Sequence, residues 1–532
     1  MARENENSGC FVVTFPLKTE KWQEDRIDQI LNLLTVRYHE KQNMLVNRYK
    51  HISHSQEFKE LKKAHNKYLQ LKKSSEFREA EKNGGKKLKE FKDKHKFKEL
   101  EESEQKYWAF MKKNDFDKGP IEKIFSDSSL SKSATNDIML NHGINSDILQ
   151  ELSHRAWIAW EKKLKGQGKF IKTDNEVNIF KSRFHGGNIT GFKYSFTDMT
   201  LSMNATKPKK HTMFTIPFVV NRNSEYEAYA LGCEVRNIAI MRQQIRGKNK
   251  YYVQFTFAGV PYNKGRKMGK GIVGIDPGPS KIAIVSDSEI RITTLAPSVT
   301  KDERAVCRLQ RKLDRSRRAT NPDNYNDDGT IKRGIKLKFE KSNSYKRTQA
   351  KLADMQRKLA AKRKIDHNIL ANEIIAMGNE FHAEKNSFKS MQARSKETKK
   401  NAKGKYLSKK RFGKSLSNHA PSELLTILKN KVNQYADGEY VDIPSSLACT
   451  QFDFTNGEFT KHDLKERTIT TSDGFVHDRD ALAAFNMRFV HKKKIVGKKK
   501  LQKNKEYFDL QAMTEAYKQF CTLEENIKTK KP

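Results

Sequence analysis

The spacing of apolar residues divides the chain into regions of different predicted secondary structure. Residues 10–16 (CFVVTFP) are apolar and β-branched, which predicts a short strand. Over 21–164, apolar residues recur three and four positions apart in a highly charged background, which predicts helices. The helix predicted at 146–166 carries Trp157 and Trp160. We expect both to pack in a core, with base stacking as the alternative.

Residues 167–268 have a different pattern. Segments such as FTIPFVV, YALGCEV and YYVQFTFAGV are β-branched and aromatic, with turn residues between them. They predict a small β-barrel or a curved sheet. The strand at 10–16 could join it, which would make the helical region an insertion within one β-domain.

The second half of the chain alternates strands and helices. Residues 271–295 predict three strands in succession, GIVGID, KIAIVS and EIRITTLA. A basic helix, a loop at 319–336 and a long helix ending near Met377 follow, and EFHAE predicts another strand. Beyond a lysine-rich loop at 393–415, helices are predicted at SELLTILKNKVNQY and DALAAFNMRFV, with the polar segment 446–475 between them.

Composition adds a very large positive charge to this picture. The 532 residues include 105 Lys and Arg against 64 Asp and Glu, a formal net charge of +41. Such a chain repels itself unless a polyanion neutralises it, and the basic residues run through every segment rather than forming a block beside an apolar anchor. Nucleic acid is the predicted partner, and solubility or an anionic membrane is the weaker interpretation.

The composition also excludes several classes of protein. The 30 Phe, 17 Tyr and 4 Trp are too many for a disordered chain. The sequence has no apolar run long enough to span a bilayer and no signal-peptide core at its start. Five scattered cysteines exclude a disulfide scaffold and a four-cysteine zinc site. We expect a soluble multidomain protein of the prokaryotic cytoplasm, or of the nucleus if the source is eukaryotic.

Three acidic residues occupy positions that suggest chemistry. Asp276 ends the strand GIVGID, Glu384 ends the strand FHAE, and Asp480 opens the helix DALAAFN. A carboxylate beside a buried strand is costly unless it binds a cation, and three together would suit Mg²⁺. Plainer interpretations are a turn residue at Asp276, a helix cap at Asp480, and Glu373 or Glu380 as the acid at the second position.

The order of these elements favours the metal site. A three-strand meander with Asp, a later strand with Glu and a final helix with Asp form the layout of an RNase H-like nuclease core. Two Mg²⁺ ions about 4 Å apart, with Mn²⁺ as a substitute, could then activate water and stabilise the leaving oxygen in phosphodiester hydrolysis.

The basic helix after the meander carries arginines at helical spacing on one face, with Val306, Leu309 and Leu313 on another. Arginines in such a pattern usually form a solvated face of the helix. The near absence of interleaved acid favours phosphate contact instead. The five arginines are Arg304, Arg308, Arg311, Arg315 and Arg318.

Four segments resemble a known family. GIVGIDPG, AEKNSFKSM, RFGKSLSNHAPSELLTIL and HDRDALAAFN are similar to the split RuvC motifs of transposon-encoded TnpB proteins, whose relatives include Fanzor and the compact type V CRISPR effectors. The resemblance covers roughly 270–492 and extends loosely to the N-terminal half. It implies an α/β multidomain, bilobed protein with an RNase H-like (RuvC) nuclease core and a β-barrel wedge domain that a helical recognition lobe interrupts.

The resemblance also implies an activity and its partners. It implies an RNA-guided DNA endonuclease that holds a guide RNA, of transposon or CRISPR origin, and cleaves target double-stranded DNA beside a short adjacent motif. It places the catalytic and Mg²⁺-binding triad on Asp276, Glu384 and Asp480, and it makes the arginine helix a contact to the guide–target duplex. No membrane partner is expected.

The domain boundaries follow from the motifs. They are a first wedge strand (1–20), a helical recognition lobe (21–165), a wedge β-barrel (166–268), RuvC part I (269–300), a bridge-like helix and a long helix (301–376), RuvC part II (377–445), a target-nucleic-acid-binding or lid segment (446–475), RuvC part III (476–493) and a basic C-terminal tail (494–532).

Some positions depart from the family pattern. Most relatives carry a four-cysteine zinc ribbon before the last motif, but 446–475 keeps only Cys449, so we expect no zinc and a small buried residue there. Leu482 replaces a usual Asn, and Lys385 a common Asp. Activity is still expected because the three carboxylates remain. An RNA-guided DNA binder without cleavage, or a general basic RNA-binding or RNA-processing protein, stays open, and a DNA-strand-joining transposase fits poorly.

Overall fold

The computed structural model divides into two compact units, Met1–Gly265 and Arg266–Pro532, and each is described by itself. The division falls close to the predicted boundary at 268. The structure describes residues 9–529 except 73, 75, 78–79, 82–84, 127–143, 145, 169, 186–187, 205–211, 301, 394–411, 464–465 and 496–500. Most of the predicted loop at 393–415 therefore lies outside the described residues. Among those residues, no helix combines the length and the hydropathy that crossing a bilayer requires.

The first unit begins with a strand and continues as helices, as predicted. The elements are β1 (Cys10–Pro16), α1 (Lys21–Ser53), α2 (Gln56–Lys72), α3 (Gly85–Lys94), α4 (Phe97–Lys113), α5 (Lys118–Ser126) and α6 (Ser146–Leu164). Trp160 of α6 is fully buried and its indole N–H donates to Gln42 at 2.8 Å, while Trp157 is half-buried against the same core. Core packing of the two tryptophans is confirmed.

The strands of the first unit form several antiparallel sheets. They are β2 (Ile179–Lys181), β3 (Arg183–His185), β4 (Asn188–Thr190), β5 (Phe192–Ser195), β6 (Thr200–Asn204), β7 (Thr212–Pro217), β8 (Val235–Ile245) and β9 (Lys248–Ala258), with helix α7 (Glu225–Leu231) before β8. The main sheet has the order β1-β9-β8-β2, so the N-terminal strand does join the later strands.

Of the two predicted forms, a β-barrel or a curved sheet, no closed barrel is seen in the described part of this unit. β5-β6-β7 form their own sheet and β3-β4 a short hairpin, so the edge strands β1 and β2 of the main sheet are not joined by a continuous ladder. An isolated bridge between Leu17 and Phe218 links the main sheet to the three-stranded one. Strands as short as three residues cannot supply the staggered hydrogen bonding that closure requires.

The second unit is built on a five-stranded sheet. Its strands are β10 (Ile272–Pro277), β11 (Lys281–Val285), β12 (Ile290–Thr294), β13 (Glu380–Lys385) and β14 (Glu439–Pro444). The order is β12-β11-β10-β13-β14, in which the first three strands are antiparallel and β13 and β14 run parallel to β10. The predicted meander and the later strand are confirmed.

Helices surround this sheet, and two small hairpins precede the last motif. The helices are α8 (Pro297–Thr300), α9 (Glu303–Thr320), α10 (Asn343–Ile375), α11 (Phe388–Met391), α12 (Gly413–His419), α13 (Pro421–Val432), α14 (Arg479–Arg488), α15 (Lys492–Ile495) and α16 (Leu510–Thr529). The hairpins pair β15 (Phe452–Asp453) with β16 (Glu458–Phe459), and β17 (Thr468–Thr470) with β18 (Val476–Asp478).

The C-terminal segment differs from the basic tail predicted at 494–532. Helix α16 buries Met513 and Phe520 in the same apolar cluster that contains Phe485 of α14. Its apolar residues recur at three- and four-residue spacing, so one face of the helix belongs to the core.

Candidate active site

The parallel pairing of β10 and β13 brings two of the predicted carboxylates side by side. Ile275 pairs with Ala383 in the register of these strands, and the next residues along are Asp276 and Glu384. Neighbouring strands lie about 4.8 Å apart, so both carboxylates leave the sheet at the same edge. Each is half-buried, which leaves it within reach of solvent.

Helix α14 carries the third carboxylate and runs antiparallel to β10. Near its end, the Arg488 guanidinium donates to the Ile272 carbonyl at 2.9 Å. One turn earlier, the Ala484 carbonyl lies directly against Gly274. One further turn back along the helix is Asp480, and two residues further along the strand is Asp276. Helical and strand rises therefore place Asp480 at the strand end that carries Asp276.

The close contact between α14 and β10 depends on small residues. Any Cβ at position 274 would overlap the Ala484 carbonyl oxygen. The helix presents Ala481, Ala483 and Ala484, all fully buried. Glycine on the strand and alanines on the helix thus set the distance at which Asp480 approaches the sheet.

The electrostatics of the site agree with this convergence. Burial raises the pKa of Asp276 well above its usual range, and the negative charges of Glu384 and Asp480 raise it further. Burial also raises the pKa of Glu384, which a hydrogen bond from Asn386 partly offsets. In the described residues, no side chain or backbone group donates a hydrogen bond to the Asp276 carboxylate. The positive charge of Arg479 lowers the pKa of Asp276 only in part, so a bound cation would stabilise the charged form of this carboxyl further.

Asp480 does not cap its helix, which removes one plainer interpretation. The N-cap of α14 is Asp478, whose Oδ1 accepts the backbone N–H groups of Asp480 and Ala481 at 2.9 and 3.1 Å. The Asp480 carboxylate instead accepts hydrogen bonds from Arg479 at 2.8 and 3.1 Å, and Arg467 lies 3.8 Å away. Its negative charge is held by arginines in this arrangement.

The two competing glutamates are engaged elsewhere. Glu373 forms an ion pair with Arg291 at 2.7 Å. Glu380 accepts from His382 at 2.8 Å and from Lys492 at 2.9 Å. Glu384 is the glutamate that lies beside Asp276.

Asn386 is a site residue that the sequence reasoning missed. Its amide donates to the Glu384 carboxylate at 2.6 Å and to the Pro277 carbonyl at 3.2 Å, so it connects the ends of β13 and β10. The available signal was its place two residues after Glu384, inside the quoted segment AEKNSF. Arg479, which holds Asp480, was likewise overlooked in HDRDALAAFN.

The departures from the family pattern have local explanations. Leu482 is 3% exposed and belongs to the apolar cluster behind α14, so its side chain is part of the core. The Lys385 ammonium forms an ion pair with Asp442 at 2.9 Å. Cys449 is buried, as predicted, and burial raises the pKa of its thiol well above the usual range, so the sulfur is a neutral thiol at pH 7.

The donor chemistry of the trio fits a hard divalent cation. Asp276, whose pKa two neighbouring carboxylates raise, would be stabilised in its charged form by a hard cation that takes oxygen ligands, such as Mg²⁺. As the side chains are oriented here, no group of three or more His, Cys, Asp or Glu in the described residues is close enough to hold a metal ion. The arginine contacts to Asp480 would have to give way for the trio to share one ion.

The predicted arginine helix forms as α9, and no residue of it is buried. Four of its arginines, Arg304, Arg308, Arg311 and Arg315, are exposed and have no ion-pair partner among the described residues. Arg318 differs, because it pairs with Asp314 at 2.9 Å, donates to the Gly329 carbonyl at 2.6 Å and lies over the Tyr325 ring. The face predicted to be almost free of acid therefore contains Asp314, and a phosphate contact by any of the five arginines stays a prediction.

Replacing Arg308, Arg311 and Arg315 together with Ala should weaken nucleic-acid binding and flatten its salt dependence. Each lost phosphate contact lowers the slope of log K against log salt by about 0.9 on duplex. The measurement is a binding titration at several salt concentrations. Single variants Arg311→Ala and Arg318→Ala form a matched pair, and we expect the smaller slope change for Arg318, whose charge Asp314 already offsets. An unchanged slope in the triple variant would favour the interpretation that these arginines form a solvated helix face without phosphate contacts.

Glu380 should make the second unit less stable in acid. Hydrogen bonds from His382 and Lys492 lower its pKa to about 2. A carboxylate with a depressed pKa stabilises the fold above its unfolded pKa of about 4.5 and loses that contribution as pH falls toward 2. Glu380→Gln should therefore lower the urea midpoint at pH 7, and the gap to wild type should narrow between pH 5 and 3. Glu439→Gln, a half-exposed partner of the same lysine, is the control, and a gap independent of pH would contradict this account.

Comparisons with known proteins find similarity among solved structures alone. No protein-family model and no curated protein matches the sequence. A Cas12f1–sgRNA–target DNA complex gives a TM-score of 0.43 at 13% identity and covers 91% of this chain and 99% of that one. A CRISPR–Cas12f ternary complex gives 0.23 at 13%, covering 90% and 98%, and a Cas12i1 R-loop complex before target DNA cleavage gives 0.28 at 9%, covering 83% and 57%. The structural neighbours are thus Cas12f and Cas12i proteins, the kind of relative that the motif resemblance predicts, and at these TM-scores they carry no argument about function.

Proposed function

We propose that this protein is an RNA-guided DNA endonuclease that hydrolyses phosphodiester bonds in a single active site of the RuvC type. The observation that carries the proposal is the convergence of Asp276, Glu384 and Asp480 from three distant segments at one end of β10. Their mutual repulsion is a folding cost. A cost of this kind is typical of a functional site rather than of a structural ion pair.

The topology supports a nuclease core of the RNase H type. Three antiparallel strands lead into two parallel ones, with the acids at the ends of the first and fourth strands in chain order and at the start of a helix packed on the sheet. The motif resemblance to TnpB proteins points to the same core. The carboxylates are half-buried beside a rigid sheet. A metal ion bound to them could therefore take its remaining oxygen ligands from the phosphates of a substrate.

Asp276, Glu384 and Asp480 would hold the divalent ions, for which we propose Mg²⁺. Bound there, the ions would activate water and neutralise charge on the phosphate. The protein's own contribution is orientation: Asn386 fixes Glu384 against the Pro277 carbonyl, and Asp478 fixes the first turn of α14. The number of ions that we propose is two.

The basic surface would hold the guide RNA and the target DNA. The exposed arginines of α9 lie in the same unit as the carboxylates, and the chain as a whole carries a net charge of +41. Base pairing between guide and target would supply sequence discrimination, while the protein reads duplex shape and a short adjacent motif.

One experiment tests this function against its alternatives. RNA that co-purifies with the protein is sequenced, and a supercoiled plasmid carrying the complementary target is incubated with the complex in Mg²⁺. The proposal predicts guide-dependent linear or nicked product that EDTA prevents. Guide-dependent binding without any product would favour the repressor-like alternative, and salt-sensitive binding without sequence preference would favour a general RNA-binding protein.

A further inference from the structure

The C-terminal helix α16 packs on the back of the helix that carries Asp480. The Phe520 ring lies 4.5 Å from the Phe485 ring of α14, and the Tyr517 ring lies 6.2 Å from the same Phe485 ring. These contacts fix the separation of the two helices. They do not fix how far one helix is shifted along the other, because apolar contacts are not directional.

A buried carboxylate fixes the position of α16 along its own axis. Glu524 of α16 is 5% exposed. Its Oε1 accepts the backbone N–H of Asp478 at 2.6 Å, and its Oε2 lies 2.7 Å from Nδ1 of His477. A buried carboxylate without such partners costs several kcal/mol, so α16 is held in one register relative to β18.

A second contact holds the same strand. His477 is 1% exposed, and its Nε2 lies 2.8 Å from the Tyr517 hydroxyl, which also belongs to α16. The imidazole is thus fixed at both nitrogens by residues of one helix, seven positions apart. Strand β18 cannot shift without breaking a contact to Glu524 or to Tyr517.

The residue held by Glu524 is the cap of the helix that carries Asp480. The Asp478 backbone N–H is bound by Glu524, while the Asp478 side chain accepts the Asp480 N–H at 2.9 Å. A displacement of Asp478 therefore moves the first turn of α14 directly. Ligand geometry in metal sites tolerates displacements of about half an ångström.

We infer that Glu524 is a positioning residue that sets the place of the Asp480 carboxylate at the divalent-metal site. This inference rests on the proposed function. It gives the C-terminal helix, far along the chain from the last motif, a role in metal binding without any contact of its own to substrate.

The test separates the length of the side chain from its charge. Glu524→Asp keeps the charge but withdraws the carboxylate from the Asp478 N–H, whereas Glu524→Gln keeps an oxygen at the right distance without the charge. We expect Glu524→Asp to weaken Mn²⁺ binding, measured by EPR on the full chain without nucleic acid, by about 10- to 100-fold. We expect Glu524→Gln to restore most of the affinity. Cleavage should show the same ranking in kcat at saturating target, with the KM for target DNA unchanged.

Matched variants make the outcomes distinguishable. Glu515→Gln, an exposed acid on the same helix, should behave as wild type. Tyr517→Phe keeps the ring packing and loses one contact to His477, so it carries the test if Glu524→Asp fails to fold. Asp480→Asn should abolish Mn²⁺ binding, and if it does not, the proposed function itself fails. If Asp480→Asn loses the metal while Glu524→Asp and Tyr517→Phe retain wild-type affinity, only the positioning role is overturned.

Discussion

Asp276→Asn is expected to reduce guide-dependent DNA cleavage by about 10³-fold, which corresponds to about 4 kcal/mol of transition-state stabilisation. Asp276 interacts electrostatically with both other carboxylates, since the negative charge of each raises its pKa. The neutral amide has the same shape and cannot replace an anionic ligand. Initial rates on a plasmid target, with the guide RNA bound, measure the effect.

The stability of the same variant gives an independent check. Asn removes a half-buried carboxyl whose charged form burial and two neighbouring carboxylates disfavour, so the melting temperature of the metal-free protein should stay the same or rise. Glu373→Gln is the control for cleavage, because Glu373 pairs with Arg291 away from the trio. A variant that cleaves like wild type, or one that loses cleavage only because it unfolds, would contradict the assignment.

Gly274→Ala is expected to destabilise the second unit by about 3 kcal/mol or more. The added Cβ would overlap the Ala484 carbonyl oxygen and crowd the Arg488 side chain, and neither strand β10 nor helix α14 has room to move apart within the core. The measurement is the denaturation midpoint. Any folded fraction should also cleave poorly, because the helix that carries Asp480 is pushed away from the sheet.

Gly119→Ala is the matched control for this prediction. A Cβ at position 119 meets nothing within 4 Å, and the residue lies in helix α5. Alanine has the higher helix propensity, but Gly119 lies at the start of α5 directly before Pro120, where a Cβ is disfavoured in the helical conformation, so this variant should be close to neutral. Equal stability of Gly274→Ala and wild type would show that α14 does not approach β10 as closely as described.

Four of the five strands in the sheet of the second unit could be predicted because their signals are local, whereas β14 (Glu439–Pro444) was missed. GIVGID and FHAE are short apolar runs that end in an acid, and the parallel register alone then brings Asp276 and Glu384 together. The register could not be read from the sequence. It depends on the long helix α10 returning the chain to the edge of β10, which is a tertiary event.

Other features escaped prediction for identifiable reasons. Asp478 and Asp480 are both plausible caps from sequence, and only the backbone geometry assigns the cap to Asp478. The many lysines at 492–505 indicated a basic tail, although apolar residues recur at helical spacing from Leu510 onward. Arg318 looked like its neighbours on α9, but the loop that follows the helix folds back and brings the Gly329 carbonyl to its guanidinium, a contact that no sequence pattern specifies.

Residue composition could not predict whether the strands of the first unit close into a barrel. FTIPFVV and YYVQFTFAGV correctly indicated strands, and the N-terminal strand joins the sheet as expected. The strand predicted at YALGCEV is wrong for most of its length, because helix α7 continues to Leu231 and β8 begins only at Val235. Whether strands close into a barrel depends on their lengths and stagger, which residue type does not specify. Sheets of three and four strands formed instead.

The central claim is that Asp276, Glu384 and Asp480 together bind a divalent cation. A crystal structure of the protein soaked in Mn²⁺, with anomalous diffraction data, tests it most directly. We predict an anomalous peak bounded by oxygens of all three carboxylates, with the Asp480 side chain turned away from Arg479. A well-ordered site without that peak, in which Arg479 still holds Asp480, would contradict the account.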